Sequence, residues 1–245
     1  MLVTLFLATL SLSHASPAKA GVQLRTARYW APAFAGEAEK EASSGSTATG
    51  PNGMTPIEAE RAFADDAKKL GQWTAFRKWS ADDAVMFVPQ PINAHEWLKD
   101  RKDPAKAIDW WPTASYISCD GTLAVNTGGW KRPDGRVGYF STVWQRQTDG
   151  GWRWIVDGGD QVKEVLDRPA QPKVVRARCK RGYFRRGLSG DPPWPPGYKA
   201  DWKASGDATL SYAWRVASDG GREFSVSIAG SKTPVFTNDV AAPPK

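Results

Sequence analysis

Small and apolar residues recur at spacings of three and four between Ala59 and Leu70, with Phe63 among them. This spacing places them on one face of an α-helix. Thr55 precedes the stripe as a candidate N-cap, and Glu58 stands three positions later, where a capping box needs an acid. The sequence therefore predicts an amphipathic helix that begins after Thr55 and ends at Gly71.

Two shorter helices and a strand are predicted to follow. Aromatic residues at helical spacing indicate a helix over residues 73–79, and the acidic pair Asp82-Asp83 is expected to form the turn that ends it. Residues 84–88 are an apolar run of strand length, bounded by prolines. Asn93 and Glu96 then repeat the capping spacing and predict a third, short helix.

Four longer runs with strand character come next, separated by turns rich in Asp and Gly. They cover residues 113–118, 122–130, 136–147 and 152–157. Turns this short join antiparallel neighbours, so we expect a meander. The run over 136–147 carries apolar residues on both faces, which predicts one layer of cover from the helices and another from elsewhere in the chain.

The C-terminal part shows a second pattern of alternation. Residues 210–216 and 224–228 each alternate apolar with polar or small residues, and a turn at 218–221 joins them. Because two strands alone are marginally stable, we expect this hairpin, together with residues 233–238, to dock on the main domain. Helices followed by antiparallel strands make the predicted fold class α+β, with the hairpin as a small C-terminal extension.

These patterns divide the chain into five expected segments. They are a signal peptide over 1–20, a flexible linker over 21–54, the main domain over 55–160, a basic and Pro-rich connector over 161–200, and the β-hairpin extension over 201–245. The signal peptide rests on the apolar run from Leu2 and on the small-x-small site Ala18-Lys19-Ala20. It predicts a periplasmic or secreted protein.

Composition and charge narrow the choice of partners. The chain has 245 residues, 41% of them hydrophobic and 13 of them Trp, which is enough for a packed core. Much of the net charge of +7 comes from residues 173–186, which hold seven Lys or Arg and no acid. A basic segment of this kind can bind nucleic acid, but an exported protein meets little of it, so we expect no nucleic-acid partner. The segment is then either a solvated arm or a weak contact with an anionic envelope surface.

Cysteine and histidine usage bears on both redox state and metal binding. Export would place Cys119 and Cys179 in an oxidising compartment, where we expect a disulfide that ties the main domain to the basic segment. After removal of the signal peptide only His95 remains, and the two cysteines lie far apart in the sequence. This leaves no recognisable zinc or iron ligand set, so we predict no metal and no cofactor.

Four stretches of the main domain resemble the nuclear transport factor 2-like superfamily. They are Glu60-Arg61-Ala62-Phe63, Asp82-Asp83-Ala84-Val85, the strand from Gly138 to Trp144, and the Trp-rich strand from Gly151 to Asp157. The chain looks most like the SnoaL-like branch, which occurs among bacterial exported proteins. The resemblance implies a cone-shaped barrel of a curved antiparallel sheet, with an apolar pocket at its open end. It does not imply one chemistry, because relatives include isomerases, cyclases, dehydratases and proteins without a reaction.

Asp157 is the candidate general acid or base. It closes a strand of aromatic and branched residues, and desolvation in an apolar cone would raise its pKa. The alternative is a solvent-facing acid at a strand end. Candidate ligand-binding residues, by their predicted faces and by the resemblance, are Trp79, Trp97, Trp110, Asn126 and Tyr139. Each of them is equally consistent with ordinary core packing.

Three functions stay open at this point. The first is an exported domain that binds a small apolar molecule, without an assigned reaction. The second is a cofactor-free isomerase, cyclase or lyase in which Asp157 moves a proton and Tyr139 or Asn126 polarises a carbonyl. The third is an interaction module that contacts a protein partner or the envelope surface. Homodimerisation through the sheet is also left open, since relatives of this type often dimerise in that way.

Overall fold

The structure is a computed structural model and describes residues 53–179 and 196–241. The predicted signal peptide, nearly all of the predicted linker and the basic residues after Cys179 lie outside the described residues. Within the described ranges, none of the helices is both long enough and apolar enough to cross a membrane.

The helices lie at the start of the main domain. The described residues form α1 (Pro56–Leu70), α2 (Gln72–Trp79) and α3 (Ala94–Leu98). The capping box of α1 is confirmed, because the N–H of Glu58 donates to Thr55 Oγ1 and the N–H of Thr55 donates to Glu58 Oε2. Gly71 ends α1 with a φ of 108°, in the left-handed region that favours glycine. Asn93 caps α3, since its Oδ1 accepts from the N–H of Glu96 at 3.1 Å.

The main sheet combines the predicted meander with two parallel pairs. Among the described residues its strands are β1 (Ser80–Phe87), β2 (Pro91–Asn93), β3 (Asp109–Ile117), β4 (Leu123–Lys131), β5 (Val137–Arg146), β6 (Trp152–Val162) and β7 (Lys173–Arg176). Their order across the sheet is β2-β1-β6-β5-β4-β3-β7. Strands β3 to β6 form the expected antiparallel meander, whereas β1 with β6 and β3 with β7 are parallel. The α+β class is confirmed.

The acidic pair Asp82-Asp83 is not the turn that the sequence predicts. It lies inside β1, which starts directly after α2. The pairing of β1 with β6 is interrupted between Ser80 and Val85, and both acids are exposed there. The interruption lets two charged residues stand in a strand without burying either side chain.

The C-terminal extension is a complete second sheet and not only a hairpin. Its strands are β8 (Tyr198–Ala204), β9 (Leu210–Ala217), β10 (Arg222–Ile228) and β11 (Phe236–Val240), in the order β11-β10-β9-β8. The predicted hairpin is β9 with β10. The expected connector over 161–200 needs correction, because β7 lies within it and β8 begins in it. Strand β7 has only four residues, which is too short for a clear pattern. Strand β8 does alternate apolar with polar residues from Tyr198 to Ala204, so this signal of a strand is present in the sequence although none of its side chains is fully buried.

Apolar side chains pack on both faces of the main sheet. Phe63 of α1 packs with Trp144 and Trp154 on the helix side. On the other face, Val143 belongs to a cluster that includes Val226 of the second sheet, and both are fully buried. Both faces of β5 are thus covered, as the sequence predicts, one by the helices and the other by the C-terminal sheet.

Two turns of matching sequence stand where the two sheets meet. Residues 118–122 join β3 to β4 and residues 205–209 join β8 to β9, and both have the pattern Ser-x-Asp-x-Thr. In each turn the Asp Oδ1 accepts from the Ser hydroxyl at 2.6 Å and from both the N–H and the hydroxyl of the Thr. Cys119, in the first turn, is disulfide-bonded to Cys179, the pairing for which the sequence argues.

Candidate functional site

A cavity of about 360 Å³ lies between the helices and the main sheet. This volume is at the lower end of the range, about 300–1,000 Å³, that small-molecule pockets occupy. Its apolar wall consists of Phe63, Phe76, Met86, Phe87, Ile108, Trp110, Trp130 and Phe140. The buried or half-buried polar side chains on the wall include Glu60, Gln72, Thr142 and Asp157, while Arg132, Arg136 and Gln161 are exposed.

Asp157 reaches this cavity because of an irregularity in β6. Strand β5 pairs Val143 with Val156 and Trp144 with Trp154, so Ile155 is one extra residue on β6. Trp154 packs on the helix side, and strict alternation from it would turn Asp157 to the opposite face. The extra residue reverses the alternation, as a β-bulge does, and Asp157 lines the cavity.

Only one of the two carboxyl oxygens of Asp157, Oδ1, accepts a hydrogen bond from the described residues. The hydroxyl of Thr142 donates to Asp157 Oδ1 at 2.7 Å. Burial raises the pKa of Asp157 to about 6, against the opposing effects of the Thr142 hydrogen bond and of the positive charge of Arg222. Asp157 keeps partial solvent exposure through the cavity, so a molecule bound there can reach its carboxyl.

Glu60 of α1 is a second carboxyl on the cavity wall, and it is fully buried. Its Oε1 accepts from Trp110 Nε1 at 2.9 Å, and its Oε2 accepts from Trp144 Nε1 at 2.7 Å and from Asn126 Nδ2 at 3.2 Å. The pKa of Glu60 is raised to about 7, chiefly by burial and also by the negative charge of Asp157. The three hydrogen bonds lower it and limit the rise.

Two carboxyls with raised pKa values therefore border one aromatic cavity. Near pH 6 to 7 both protonation forms of each group are populated. A group in this state can donate or accept a hydrogen bond, and it can move a proton at little cost in free energy. The arrangement suits binding of a polar group within an apolar molecule, and it also suits general acid–base chemistry.

Of the residues that the sequence predicts for the site, Asp157 and Trp110 line the cavity. The indole N–H of Trp110 is engaged by Glu60, so Trp110 contributes its ring to the wall. Asn126 lies behind Glu60: its Nδ2 donates to the carbonyl of Pro56 at 2.8 Å and to Glu60. Asn126 thus acts on the cavity through Glu60, because both hydrogens of its Nδ2 are engaged and none is left for the proposed hydrogen bond to a ligand carbonyl.

Trp79 and Trp97 lie outside the residues that line the cavity. The indole of Trp79 donates to Asp66 Oδ2 at 2.8 Å and packs beside the core. Trp97 stacks on the guanidinium of Arg101, which stands 3.5 Å from the ring centroid. Both tryptophans lie on short helices, where neither the exact rotation nor the partners follow from the spacing of aromatic residues.

Tyr139 faces the C-terminal sheet and not the cavity. It alternates along β5 with Phe140, which takes the cavity side. Burial raises the pKa of Tyr139 to about 12, and its hydroxyl has no partner among the described residues. The expectation that Tyr139 polarises a carbonyl in the cavity is therefore corrected.

Glu60 is the main residue of the site that is not among the predicted site residues, although it begins one of the four stretches that carry the family resemblance. It lies three and seven positions before Phe63 and Ala67, which share its buried face of α1. An acid inside an apolar helical stripe is the signal that marks it. Among the described residues no group of three or more His, Cys, Asp or Glu is placed to hold a metal ion, and the cofactor-free site stays a prediction.

Two of the solved structures that are similar to this chain show how far the similarity extends. No protein-family model matches the chain, nor does any curated protein match it significantly. A protein described as a ketosteroid isomerase from Parabacteroides distasonis is 18% identical with a TM-score of 0.39, over 45% of this chain and 91% of that one. A nuclear transport factor 2-like superfamily protein from Salmonella enterica serovar Typhimurium is 16% identical with a TM-score of 0.34, over 44% of this chain and 89% of that one. Both are thus similar to less than half of this chain, and the second belongs to the superfamily that the sequence motifs resemble.

Proposed function

We propose that the main domain binds a small, largely apolar molecule in the cavity between the helices and the main sheet. The observation that carries this proposal is the aromatic-walled hollow of about 360 Å³ with Glu60 and Asp157 on its wall. An apolar pocket with a few convergent polar groups is the usual form of a ligand site. Two carboxyls with raised pKa values at the same place add to this argument.

The wall defines the class of ligand. Eight apolar side chains suit a ring system or a compact aliphatic body. The carboxyl of Asp157 suits one hydroxyl or carbonyl group, because it can act as donor when protonated and as acceptor when ionised. The exposed side chains of Arg132 and Arg136 make the mouth polar, so a polar end of the molecule is accommodated there.

Native mass spectrometry of the protein mixed with a library of small ring compounds tests this proposal. We expect saturable adducts with a subset of ketones and alcohols. Ile108→Trp, which adds bulk to the cavity wall, should abolish them. Val165→Trp is the matched control, because Val165 is 57% exposed and lies outside the cavity lining. Adducts that survive Ile108→Trp, or none with any compound, would contradict the proposal.

A second candidate function is proton transfer on the bound molecule, as in a cofactor-free isomerase, cyclase or lyase. It is favoured by the position of Asp157, which is reachable from the cavity and has its pKa raised to about 6. Tyr139 and Asn126 do not face the cavity, and the Thr142 hydroxyl already donates to Asp157, so none of these three residues is the hydrogen-bond donor to a carbonyl in this function.

Hydrogen–deuterium exchange at an acidic C–H of a bound ketone, followed by NMR in D₂O, separates this function from binding alone. We expect the wild type to accelerate exchange and Asp157→Asn to lower that rate by about 10²-fold or more. Binding of the same ketone to Asp157→Asn should persist. Equal exchange rates for the two proteins would exclude Asp157 as the base.

Export is also part of the proposal. The disulfide between Cys119 and Cys179 supports it, because such bonds persist in oxidising compartments. Fractionation of cells that express the full chain should place the protein outside the cytoplasm and shortened after Ala20. Full-length protein in the cytoplasmic fraction would contradict export without affecting the cavity.

A further inference from the structure

Arg222 brings a positive charge into the interior where the two sheets meet. It begins β10 and is only 9% exposed. Its Nη2 donates to the carbonyl of Gly159 at 2.9 Å, and its guanidinium lies 4.4 Å from the centroid of the Phe87 ring. A buried cation is costly unless it is hydrogen-bonded, and these two contacts offset part of that cost.

The backbone that Arg222 holds is a wall of the cavity. Gly158 and Gly159 line the cavity, and they also line a smaller hollow of about 10 Å³ that Arg222 borders. A Cβ at Gly158 would stand 2.8 Å from Phe87 Cδ2 and 3.5 Å from Arg222 Nη2. Because Gly158 has no side chain, the Phe87 ring and the Arg222 guanidinium can lie directly against the backbone of the cavity wall.

The charged and titratable groups that act on Arg222 come from the main sheet. They are Asp157 and Asp160 on β6 and Tyr139 on β5, while Asp239 of β11 acts on Tyr139. Asp157 immediately precedes the glycine wall and lies in the cavity, where Glu60 of α1 is the second carboxyl and interacts with it. The attraction between Arg222 and Asp157 favours the ionised form of this carboxyl, against the effect of burial.

We propose that Arg222 is a positioning residue of the cavity, which holds the segment 157–159 through Gly159 and supplies the counter-charge for the Asp157 carboxylate. The C-terminal sheet then contributes to the site, because Arg222 belongs to it and contacts the backbone of the cavity wall. This inference rests on the proposed function, because it gives a residue outside the cavity a role in the protonation state of a residue inside it.

The titration of the Asp157 carboxyl, followed by ¹³C NMR and assigned with Asp157→Asn, tests the role of Arg222. In Arg222→Met the midpoint should move to higher pH, since a positive charge that favours the carboxylate is removed. Arg222→Lys keeps the charge and should show a smaller upward shift. Arg215→Met is the control, because Arg215 pairs with Glu223 and borders neither cavity. A folded Arg222→Met with the wild-type midpoint would overturn the proposal.

A second measurement keeps the proposal open to refutation if Arg222→Met does not fold. In the wild type the ¹⁵N chemical shift of Arg222 Nε should change with pH as Asp157 ionises, and this change should be absent in Asp157→Asn. A chemical shift that does not change as Asp157 ionises, or one that changes in the same way in Asp157→Asn, would overturn the proposal. Both measurements need no ligand, so their failure is distinct from a failure of the ligand-binding function.

Discussion

Asp120 and Asp207 form two reciprocal hydrogen bonds between the two sheets, each from the backbone N–H of one residue to the carboxylate of the other. The N–H of Asp120 donates to Asp207 Oδ2, and the N–H of Asp207 donates to Asp120 Oδ2, both at 2.8 Å. The N–H of Cys119 also donates to the Thr209 hydroxyl at 2.8 Å. The two Ser-x-Asp-x-Thr turns therefore join the sheets by polar contacts, in addition to the apolar layer between them.

Removal of one of these aspartates should weaken the whole fold. In Asp207→Ala the N–H of Asp120 and the groups of its own turn lose their acceptor, so we expect the free energy of unfolding to fall by about 1–3 kcal/mol. Urea unfolding at pH 7 measures this. Asp201→Ala, on the exposed face of β8, is the control and should change little. Equal losses in the two variants would contradict the role of the turn.

The difference in unfolding free energy between wild type and Asp207→Ala should depend on pH in a defined direction. Burial alone would raise the pKa of Asp207, but hydrogen bonds from Ser205, Thr209 and the N–H of Asp120 lower it below its usual value of 3.8. A group with a lowered folded-state pKa stabilises the fold above its unfolded-state pKa, and this contribution is lost as the pH falls. The stability gap between wild type and Asp207→Ala should therefore narrow below pH 3.8.

Glu60 should make the stability of the wild type depend on pH in the opposite sense. Its folded-state pKa is raised from 4.5 to about 7, so its stabilising contribution is complete below pH 4.5 and is lost as the pH rises through 7. From the two pKa values the loss amounts to roughly 3 kcal/mol. Glu60→Gln cannot ionise and should lack this dependence.

Urea unfolding at pH 5 and pH 8 compares the free energies of unfolding of wild type and Glu60→Gln. At pH 5 Glu60→Gln should be the less stable one, because a Gln amide nitrogen cannot accept from the indole of Trp110 or Trp144. At pH 8 the difference should shrink. Glu96→Gln, at an exposed position of α3, is the control. The same pH dependence in wild type and Glu60→Gln would show that Glu60 is ionised in the fold throughout.

The disulfide should stabilise the fold because it restricts the conformations of the unfolded chain. Cys119 and Cys179 are 60 positions apart, and a cross-link that closes a loop of this length stabilises a fold by about 4 kcal/mol on the chain-entropy estimate. Addition of a reductant should therefore lower the urea midpoint of the wild type. The double variant Cys119→Ala/Cys179→Ala should be insensitive to reductant. An unchanged wild-type midpoint would contradict a stabilising role.

Local signals explain why the first helix and the meander could be predicted from the sequence. The cap of α1 depends on Thr55 and Glu58, three positions apart, and the strands β3 to β6 follow from turns of a few residues. The apolar residues on both faces of β5 were enough to predict its second cover. These features depend on residues that are near one another in the chain.

The details of the site depend on contacts between distant segments. Asp157 takes the cavity side only because Ile155 is an extra residue, and nothing in the local sequence marks that position. Glu60 is held by Trp110 and Trp144, which lie 50 and 84 positions away. Tyr139 is excluded from the cavity by the same alternation that places Phe140 there. Register and bulges decide these outcomes, and residue type alone does not.

Methyl NMR of ¹³C-labelled methionine tests the central claim most directly, because the chain has three Met and Met86 lines the cavity. Met54 packs against the helix-side core outside the cavity lining and serves as the internal control. On titration with a ring-containing ketone or alcohol that forms an adduct, the Met86 methyl signal should shift saturably while that of Met54 stays unchanged. The Met86 shift should disappear in Ile108→Trp. A Met86 signal that none of these compounds moves, or one that moves equally in Ile108→Trp, would contradict ligand binding in this cavity.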